Sequence, residues 1–127
     1  MSKVVIDASA VIAFLLRESG ADVVRRHLGN STISAVNLAE VASRMADKGM
    51  SDPEIRATVA DLDLTVAEFG LDQALSVARL RPVTKHRGLS LADRACLSLA
   101  EQLNRPALTA DRRWCDLDIG VEIQLIR

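Results

Sequence analysis

The segment that decides the fold is KVVIDASAVIAFLL, which occupies residues 3–16. Its start, from Lys3 to Ile6, carries a β-branched apolar run that is typical of a strand buried on both faces of a parallel sheet. Asp7 ends that strand, and Ala8 to Leu16 contains neither Gly nor Pro and therefore favours a helix. We interpret the segment as the first half of a strand–helix–strand unit.

The rest of the chain repeats this alternation of short apolar strands and longer helices. The sequence predicts further strands at 31–34, 63–66, 106–109 and 121–126, and helices at 21–28, 37–48, 71–80 and 91–103, with another helix from Ser51 onward. Residues 81–88 are predicted as a basic loop, and 111–116 as a polar turn or short helix. We therefore predict an α/β fold in one domain, residues 1–127, with a central, mostly parallel β-sheet of about five short strands flanked by helices on both faces.

Composition narrows the class of protein before any motif is considered. With 49% hydrophobic and 26% charged residues, the 127-residue chain has the make-up of a globular domain, and a disordered chain is excluded. Only three residues are aromatic, Phe14, Phe69 and Trp114, which argues against a base-stacking RNA platform. The near balance of 16 basic and 17 acidic side chains argues against a broad basic surface.

The cysteines and the apolar segments indicate the compartment. Cys96 and Cys115 lie far apart without the spacing of zinc ligands, so we expect neither a zinc site nor a disulfide, and a cytoplasmic location fits best. The apolar run from Val4 to Leu16 is shorter than the roughly 20 residues that a membrane span needs. We therefore expect no membrane segment and no signal peptide.

Four acidic residues follow predicted strands or lie in the first turn of predicted helices: Asp7, Glu40, Asp93 and Asp111. Because ligands of open parallel sheets bind beyond the carboxyl ends of the strands, we expect these carboxylates to share one crevice. Each has a structural alternative as a helix cap, since the segments 37–40 and 90–93 both match the capping box and the other two acids precede helical turns. Clustered carboxylates repel one another, so their shared placement predicts Mg²⁺ or Mn²⁺, and a metal-activated water suited to phosphodiester hydrolysis.

Four short motifs carry a family resemblance that covers the whole chain. They are Val-Ile-Asp-Ala-Ser-Ala at the start, Asn-Leu-Ala-Glu, Leu-Ser-Leu-Ala-Asp before a long apolar helix, and Leu-Thr-Ala-Asp-Arg-Arg-Trp near the end. In this order and spacing they resemble the PIN-domain ribonucleases, and among them the VapC toxins of bacterial type II toxin–antitoxin pairs. The resemblance implies Mg²⁺-dependent endonucleolytic cleavage of RNA, a VapB-like antitoxin partner, and a homodimer or a toxin–antitoxin hetero-oligomer.

The resemblance also implies a role for each polar residue of the crevice. The metal ligands would be Asp7, Asp93 and Asp111. Glu40 would hold or deprotonate the attacking water, while Ser9 and Thr109 would hydrogen-bond a carboxylate, a metal-bound water or the substrate. Asp116 is a second acid that would complete or replace part of the role of the acid at 111. Basic residues in the loops that flank the acids are candidates for substrate binding, with ordinary solvated charge as the alternative: Lys85, Arg87, Arg112 and Arg113.

Other functions stay open at the level of sequence. A PIN-domain RNA-processing nuclease without an antitoxin, and a metal-binding interaction module of low activity, would carry the same acids. A haloacid-dehalogenase-like phosphatase needs a second aspartate where Ser9 stands, and a receiver-like module needs a lysine that the segment after Thr109 does not supply. If four acids serve a metal, 13 others face 16 basic residues, and this mildly basic remainder is compatible with an RNA substrate.

Overall fold

A computed structural model describes residues 3–127 and contains a single five-stranded sheet. The strands are β1 Val4–Ile6, β2 Ser31–Ser34, β3 Thr65–Ala67, β4 Ala107–Thr109 and β5 Ile123–Leu125. The helices are α1 Ala8–Leu15, α2 Ala21–His27, α3 Ala35–Asp47, α4 Asp52–Asp61, α5 Leu71–Thr84 and α6 Leu91–Leu103. All strand pairs are parallel, in the order β3-β2-β1-β4-β5. The predicted α/β fold is confirmed.

Strand β1 lies at the centre of the sheet and is buried on both faces. Val4 and Ile6 pack into one apolar core with residues of α1, α2 and α3, whereas Val5 packs into a second core with α5 and α6. All three side chains are fully buried. Because successive side chains of a strand point to opposite faces, one short apolar run supplies both cores. Helices therefore cover both faces of the sheet, as predicted.

Helix α3 begins two residues earlier than the sequence predicts. The hydroxyl of Ser34 accepts a hydrogen bond from the Val36 N–H and caps the helix. Asn37, which the capping-box interpretation puts at the helix start, lies inside the first turn and is completely buried. The capping-box interpretation of 37–40 is therefore wrong, whereas that of 90–93 is confirmed by both of its reciprocal hydrogen bonds.

The predicted basic loop at 81–88 is largely helical. Helix α5 runs through Pro82 to Thr84, and a 3₁₀ turn at Lys85–Arg87 follows it. Pro82 removes one backbone N–H from the helix. Leu80 and Thr84 on either side are nevertheless buried, and the Thr84 hydroxyl donates to the Leu80 carbonyl at 2.7 Å. Packing and this bond carry the helix past the proline.

The strand order creates a crevice beside β1. The chain first places β2 and β3 on one side of β1 and then returns to add β4 and β5 on the other. In sheets of this kind, ligands bind beyond the carboxyl ends of the strands at the point where the order reverses. That point lies between β1 and β4, so the residues after Ile6 and after Thr109 face it.

None of the helices is suited to crossing a bilayer. Within residues 3–127, no helix combines the length and the apolar character that a membrane span requires.

Candidate active site

A cleft of about 540 Å³ opens at the carboxyl ends of β1 and β4. It is lined by all four acids that the sequence singles out: Asp7, Glu40, Asp93 and Asp111. They come from the end of β1, from α3, from the first turn of α6 and from the segment after β4. Four segments that are distant in the chain thus bring carboxylates to one cavity.

Asp7 is the most buried of these acids, with only 3% of its surface exposed. Its Oδ2 accepts hydrogen bonds from the Ser9 hydroxyl at 2.6 Å and the Thr109 hydroxyl at 2.8 Å. Burial raises the pKa of Asp7 to about 6; the two hydroxyl bonds oppose this rise, and the charges of Asp93 and Glu40 add to it. Among residues 3–127 this buried carboxylate has no ion-pair partner, and a bound cation would stabilise it.

The hydroxyls of Ser9 and Thr109 also fix the segment that follows β4. The Ala110 N–H donates to the Ser9 hydroxyl, and the Asp111 N–H donates to the Thr109 hydroxyl, both at 3.0 Å. Each hydroxyl thus accepts from this backbone while it donates to Asp7. The bonds tie the start of α1 to the end of β4 and set the position of Asp111 relative to Asp7.

Asn37 holds two further parts of the cleft together, a role that the sequence analysis missed. Its Oδ1 accepts from the Ala8 N–H and its Nδ2 donates to the Ala92 carbonyl, each at 3.0 Å. Ala8 follows Asp7 and Ala92 precedes Asp93, so the amide of Asn37 spaces these two acids. The available signal was helical periodicity, because Asn37 shares the buried face of α3 with Val41 and Met45, four and eight residues on.

Glu40 and Asp93 face the cleft from two different helices. Glu40 lies in the second turn of α3, and burial followed by the charge of Asp93 raises its pKa. Asp93 Oδ2 accepts from the Ser90 N–H at 2.9 Å, so this acid caps α6 and also lines the cleft. Its structural and functional interpretations are thus compatible with each other.

Asp111 is bound closely by Arg113. The Arg113 Nε lies 3.0 and 3.1 Å from the two Asp111 carboxylate oxygens, and its Nη2 lies 2.6 Å from Oδ2. The same Nη2 lies 3.5 Å from Asp93 Oδ2. Burial would raise the pKa of Asp111, but the hydrogen bonds and charge of Arg113 prevail and hold it below its ordinary value. Arg113 therefore neutralises acids of the cleft.

The other predicted polar residues lie outside the cleft lining. Asp116 forms an ion pair with Arg87, and its side chain is 63% exposed. The Arg112 guanidinium donates to the Arg127 carbonyl at 2.6 Å. Lys85 belongs to the exposed 3₁₀ turn after α5. The structure thus brings together the four acids, Ser9 and the Thr109 hydroxyl. Lys85, Arg87, Arg112 and Asp116 lie outside this arrangement.

One face of α3 forms a wall of the cleft that the sequence analysis did not identify. Its residues stand at helical spacing, three, four and seven positions after the first: Glu40, Ser43, Arg44 and Asp47. Arg44 is the only basic residue among those that line the cleft within the described chain. The heptad-like spacing of these polar residues was the signal that would have found them.

The carboxylate oxygens of the cleft suit a hard divalent cation, although in this arrangement the acids of the described chain do not converge on a single position. Carboxylate oxygens are the ligands that Mg²⁺ and Mn²⁺ prefer, and the buried charge of Asp7 calls for a cation. Within residues 3–127, no three acid, histidine or cysteine side chains converge closely enough to enclose an ion. The Arg113 guanidinium lies between two of the acids, and moving it away would free their oxygens.

Comparisons with known proteins place these features in a family. The family model for the PIN domain matches residues 4–120. No curated protein matches the chain. Among solved structures, the chain is similar to the DNA-bound VapBC complex from Salmonella typhimurium, with a TM-score of 0.74, 16% identity and 100% of both chains covered.

Two further solved structures have the same fold. A toxin–antitoxin complex from Klebsiella pneumoniae has a TM-score of 0.76 at 16% identity, with 98% of each chain covered. A member of the VapBC family of toxin–antitoxin systems, VapBC-5 from Mycobacterium tuberculosis, has a TM-score of 0.61 at 22% identity, with 100% of this chain and 99% of that chain covered. At these identities the likeness is one of fold.

Proposed function

The chain belongs to the PIN-domain family, and from this premise we propose that it is a metal-dependent endoribonuclease of the VapC toxin type. The observation that carries the proposal is the convergence of four carboxylates on one cleft at the point where the strand order reverses. Such a cleft suits phosphodiester hydrolysis because a cation held there neutralises the phosphate and activates water. A serine or cysteine nucleophile is not required.

In the proposed reaction, water attacks the phosphorus of an RNA phosphodiester and the bond to the 3′-oxygen breaks. The products are a 5′-phosphate and a 3′-hydroxyl. Glu40 accepts the proton of the attacking water, and the raised pKa of this carboxyl suits a general base. The leaving 3′-oxygen takes a proton from solvent.

The other acids of the cleft would hold the cation. The proposed ligands of Mg²⁺, with Mn²⁺ as the alternative, are Asp7, Asp93 and Asp111. When bound, the ion lowers the pKa of a coordinated water and offsets the charge of the scissile phosphate. Ser9 and Thr109 orient Asp7 through its Oδ2, which leaves the second oxygen of this carboxylate for the ion.

The RNA strand is proposed to run along the polar face of α3. Arg44 lines the cleft one helical turn beyond Glu40, where a cation would bind a phosphate that flanks the scissile one. The basic residues predicted from the sequence as substrate contacts do not line the cleft, and Arg113 and Arg87 already pair with acids. Arg44 is therefore the stronger candidate for a substrate contact.

A VapB-like antitoxin is proposed as the partner of the chain. Support comes from solved structures with this fold, which include VapBC and other toxin–antitoxin complexes. A homodimer, a toxin–antitoxin hetero-oligomer and a cytoplasmic location belong to the same proposal. Inhibition of cleavage by a co-expressed antitoxin separates this proposal from an RNA-processing nuclease that has no antitoxin.

The test is cleavage of a structured RNA by the purified chain with Mg²⁺ and with EDTA. We expect Asp7→Asn and Glu40→Gln to lose at least about 10²-fold in rate, the scale typical of removing an essential acid–base group. Arg56→Gln, on the exposed face of α4, is the matched control and is expected to cleave as the unmodified protein does. Equal cleavage by Asp7→Asn and the unmodified protein, or full activity in EDTA, would refute the proposal.

A further inference from the structure

The ion pair between Arg113 and the cleft acids points to a function for this arginine. Both carboxylate oxygens of Asp111 accept from its guanidinium, and Asp93 Oδ2 lies 3.5 Å from the same Nη2. Its other terminal nitrogen, Nη1, donates to the Gly88 carbonyl at 3.2 Å. One guanidinium thus bridges the segment after β4, the first turn of α6 and the turn between α5 and α6.

We propose that Arg113 is the resting counter-ion of the cleft, which occupies the cation position between Asp93 and Asp111 and must leave before a divalent ion binds. This inference rests on the proposed function only in taking the cleft as a metal centre. It differs from the sequence-based expectation that Arg113 contacts substrate, because the guanidinium is directed at the acids.

Arg113 and a divalent ion would compete for the same carboxylate oxygens of Asp111. The Arg113 guanidinium bonds to both carboxylate oxygens of Asp111. A metal ion that approaches these two oxygens from the same side would have to displace it. While the guanidinium is bound in this way, no three acids of the described chain converge on one point. Binding of a divalent ion therefore requires loss of the ion pair, and the energy of that pair is subtracted from the binding free energy of the ion.

The guanidinium is also free to move. The Arg113 side chain is 53% exposed, and its guanidinium bonds to two carboxylates and one backbone carbonyl. Swinging it toward solvent breaks the ion pairs with Asp111 and Asp93 and the hydrogen bond to the Gly88 carbonyl. An exposed pair is weak enough for a divalent ion to break it.

The test is titration of the full chain with Mn²⁺ by isothermal calorimetry, without RNA. We expect Arg113→Gln to bind Mn²⁺ about three- to tenfold more tightly than the unmodified protein, which is the scale of one partly exposed charge-assisted ion pair. Arg113→Lys keeps the charge but lacks the fork, so its affinity should fall between the two. Arg112→Gln removes the neighbouring charge, which points to the Arg127 carbonyl, and should change Mn²⁺ affinity less than about twofold.

A second measurement follows the guanidinium itself. The Arg113 Nε–H signal in ¹⁵N NMR should be protected from solvent exchange in EDTA, since both Asp111 oxygens accept from it, and should exchange rapidly once Mg²⁺ saturates the cleft.

The outcomes separate the two proposals. If the unmodified protein and Arg113→Gln both fail to bind Mn²⁺, the metal centre is wrong and the counter-ion role falls with it. If the unmodified protein binds Mn²⁺ but Arg113→Gln binds equally or more weakly, the counter-ion role alone is overturned.

Discussion

Replacing Asp7 by Asn should stabilise the metal-free protein at neutral and alkaline pH, although it removes a proposed metal ligand. Asp7 is 3% exposed, and its carboxylate accepts hydrogen bonds from the hydroxyls of Ser9 and Thr109. Burial raises its pKa from the ordinary 3.8 to about 6. The ionised carboxylate is therefore less stable in the folded protein than in the unfolded chain.

The size and the sign of the effect follow from the difference in pKa. Asp7 binds its proton more tightly when the protein is folded, so its contribution to stability is complete below pH 3.8 and is lost as the pH rises through about 6. A difference of about two in pKa corresponds to about 3 kcal/mol in the free energy of unfolding. For a domain of this size, that is roughly 10 °C in melting temperature.

The assay is urea unfolding of the unmodified protein and Asp7→Asn in EDTA, at several values from pH 4 to pH 8. The quantity that matters is the difference in unfolding free energy between the two proteins, because ionisations that they share cancel in it. We expect this difference to move in favour of Asp7→Asn by up to about 3 kcal/mol across the range.

A matched control and a metal titration complete the design. Asp118→Asn, at an exposed acid outside the cleft lining, is the control for the same change of an acid to an amide on the surface. Mg²⁺ should stabilise the unmodified protein and leave Asp7→Asn nearly unchanged. A difference between Asp7→Asn and the unmodified protein that is the same at pH 4 and pH 8 would show that the buried charge is not the source of the cost.

Three further substitutions test other parts of the site. Thr109→Val keeps the side-chain shape but removes the donor to Asp7 and the acceptor of the Asp111 N–H. We expect the free energy of unfolding, measured in urea, to fall by about 1–3 kcal/mol. The pKa of Asp7, measured by ¹³C NMR, should rise further. Asn37→Ala leaves the buried Ala8 N–H without an acceptor and removes the bond to the Ala92 carbonyl, which keeps its hydrogen bond within α6, so it should cost about 1–3 kcal/mol, whereas a loss below about 0.5 kcal/mol would contradict the bridging role. In an Asp7→Asn background, which is expected to bind RNA without cleaving it, Arg44→Gln should weaken RNA binding, measured by fluorescence anisotropy. The slope of log binding constant against log salt concentration should become shallower by about 0.7, the contribution of one single-strand phosphate contact. An unchanged slope would show that Arg44 does not contact the RNA.

The parts of the fold that could be predicted from the sequence are those set by local chemistry. The apolar run before Asp7 predicts the central strand. Acids that follow strands lie at the carboxyl ends of the sheet, where ligands of parallel sheets bind, so the location of the crevice could be predicted. The predicted helix at 91–103 agrees with α6, since Ser90 supplies the cap. By contrast, α5 continues through Pro82 because of packing that a local pattern does not describe.

The parts of the site that could not be predicted depend on pairs of residues that are distant in the chain. Asn37 resembles a cap in the sequence, but its amide is bonded to backbone groups 29 and 55 residues away. Arg87 lies in a basic segment and nevertheless pairs with Asp116, 29 residues on. The position of a charged side chain is decided by such partners, which is why the acids could be placed from strand ends but the bases could not.

The bridge made by Asn37 determines when the cleft can form during synthesis of the chain. Its two bonds join the starts of α1 and α6, and the Thr109 hydroxyl adds the end of β4, so the cleft needs segments from both halves of the chain. A ribosome that has made the first three strands has produced only two of the four acids. A nascent or truncated chain therefore lacks a complete cleft, and the proposed cleavage of RNA would require nearly the whole polypeptide to have emerged and folded.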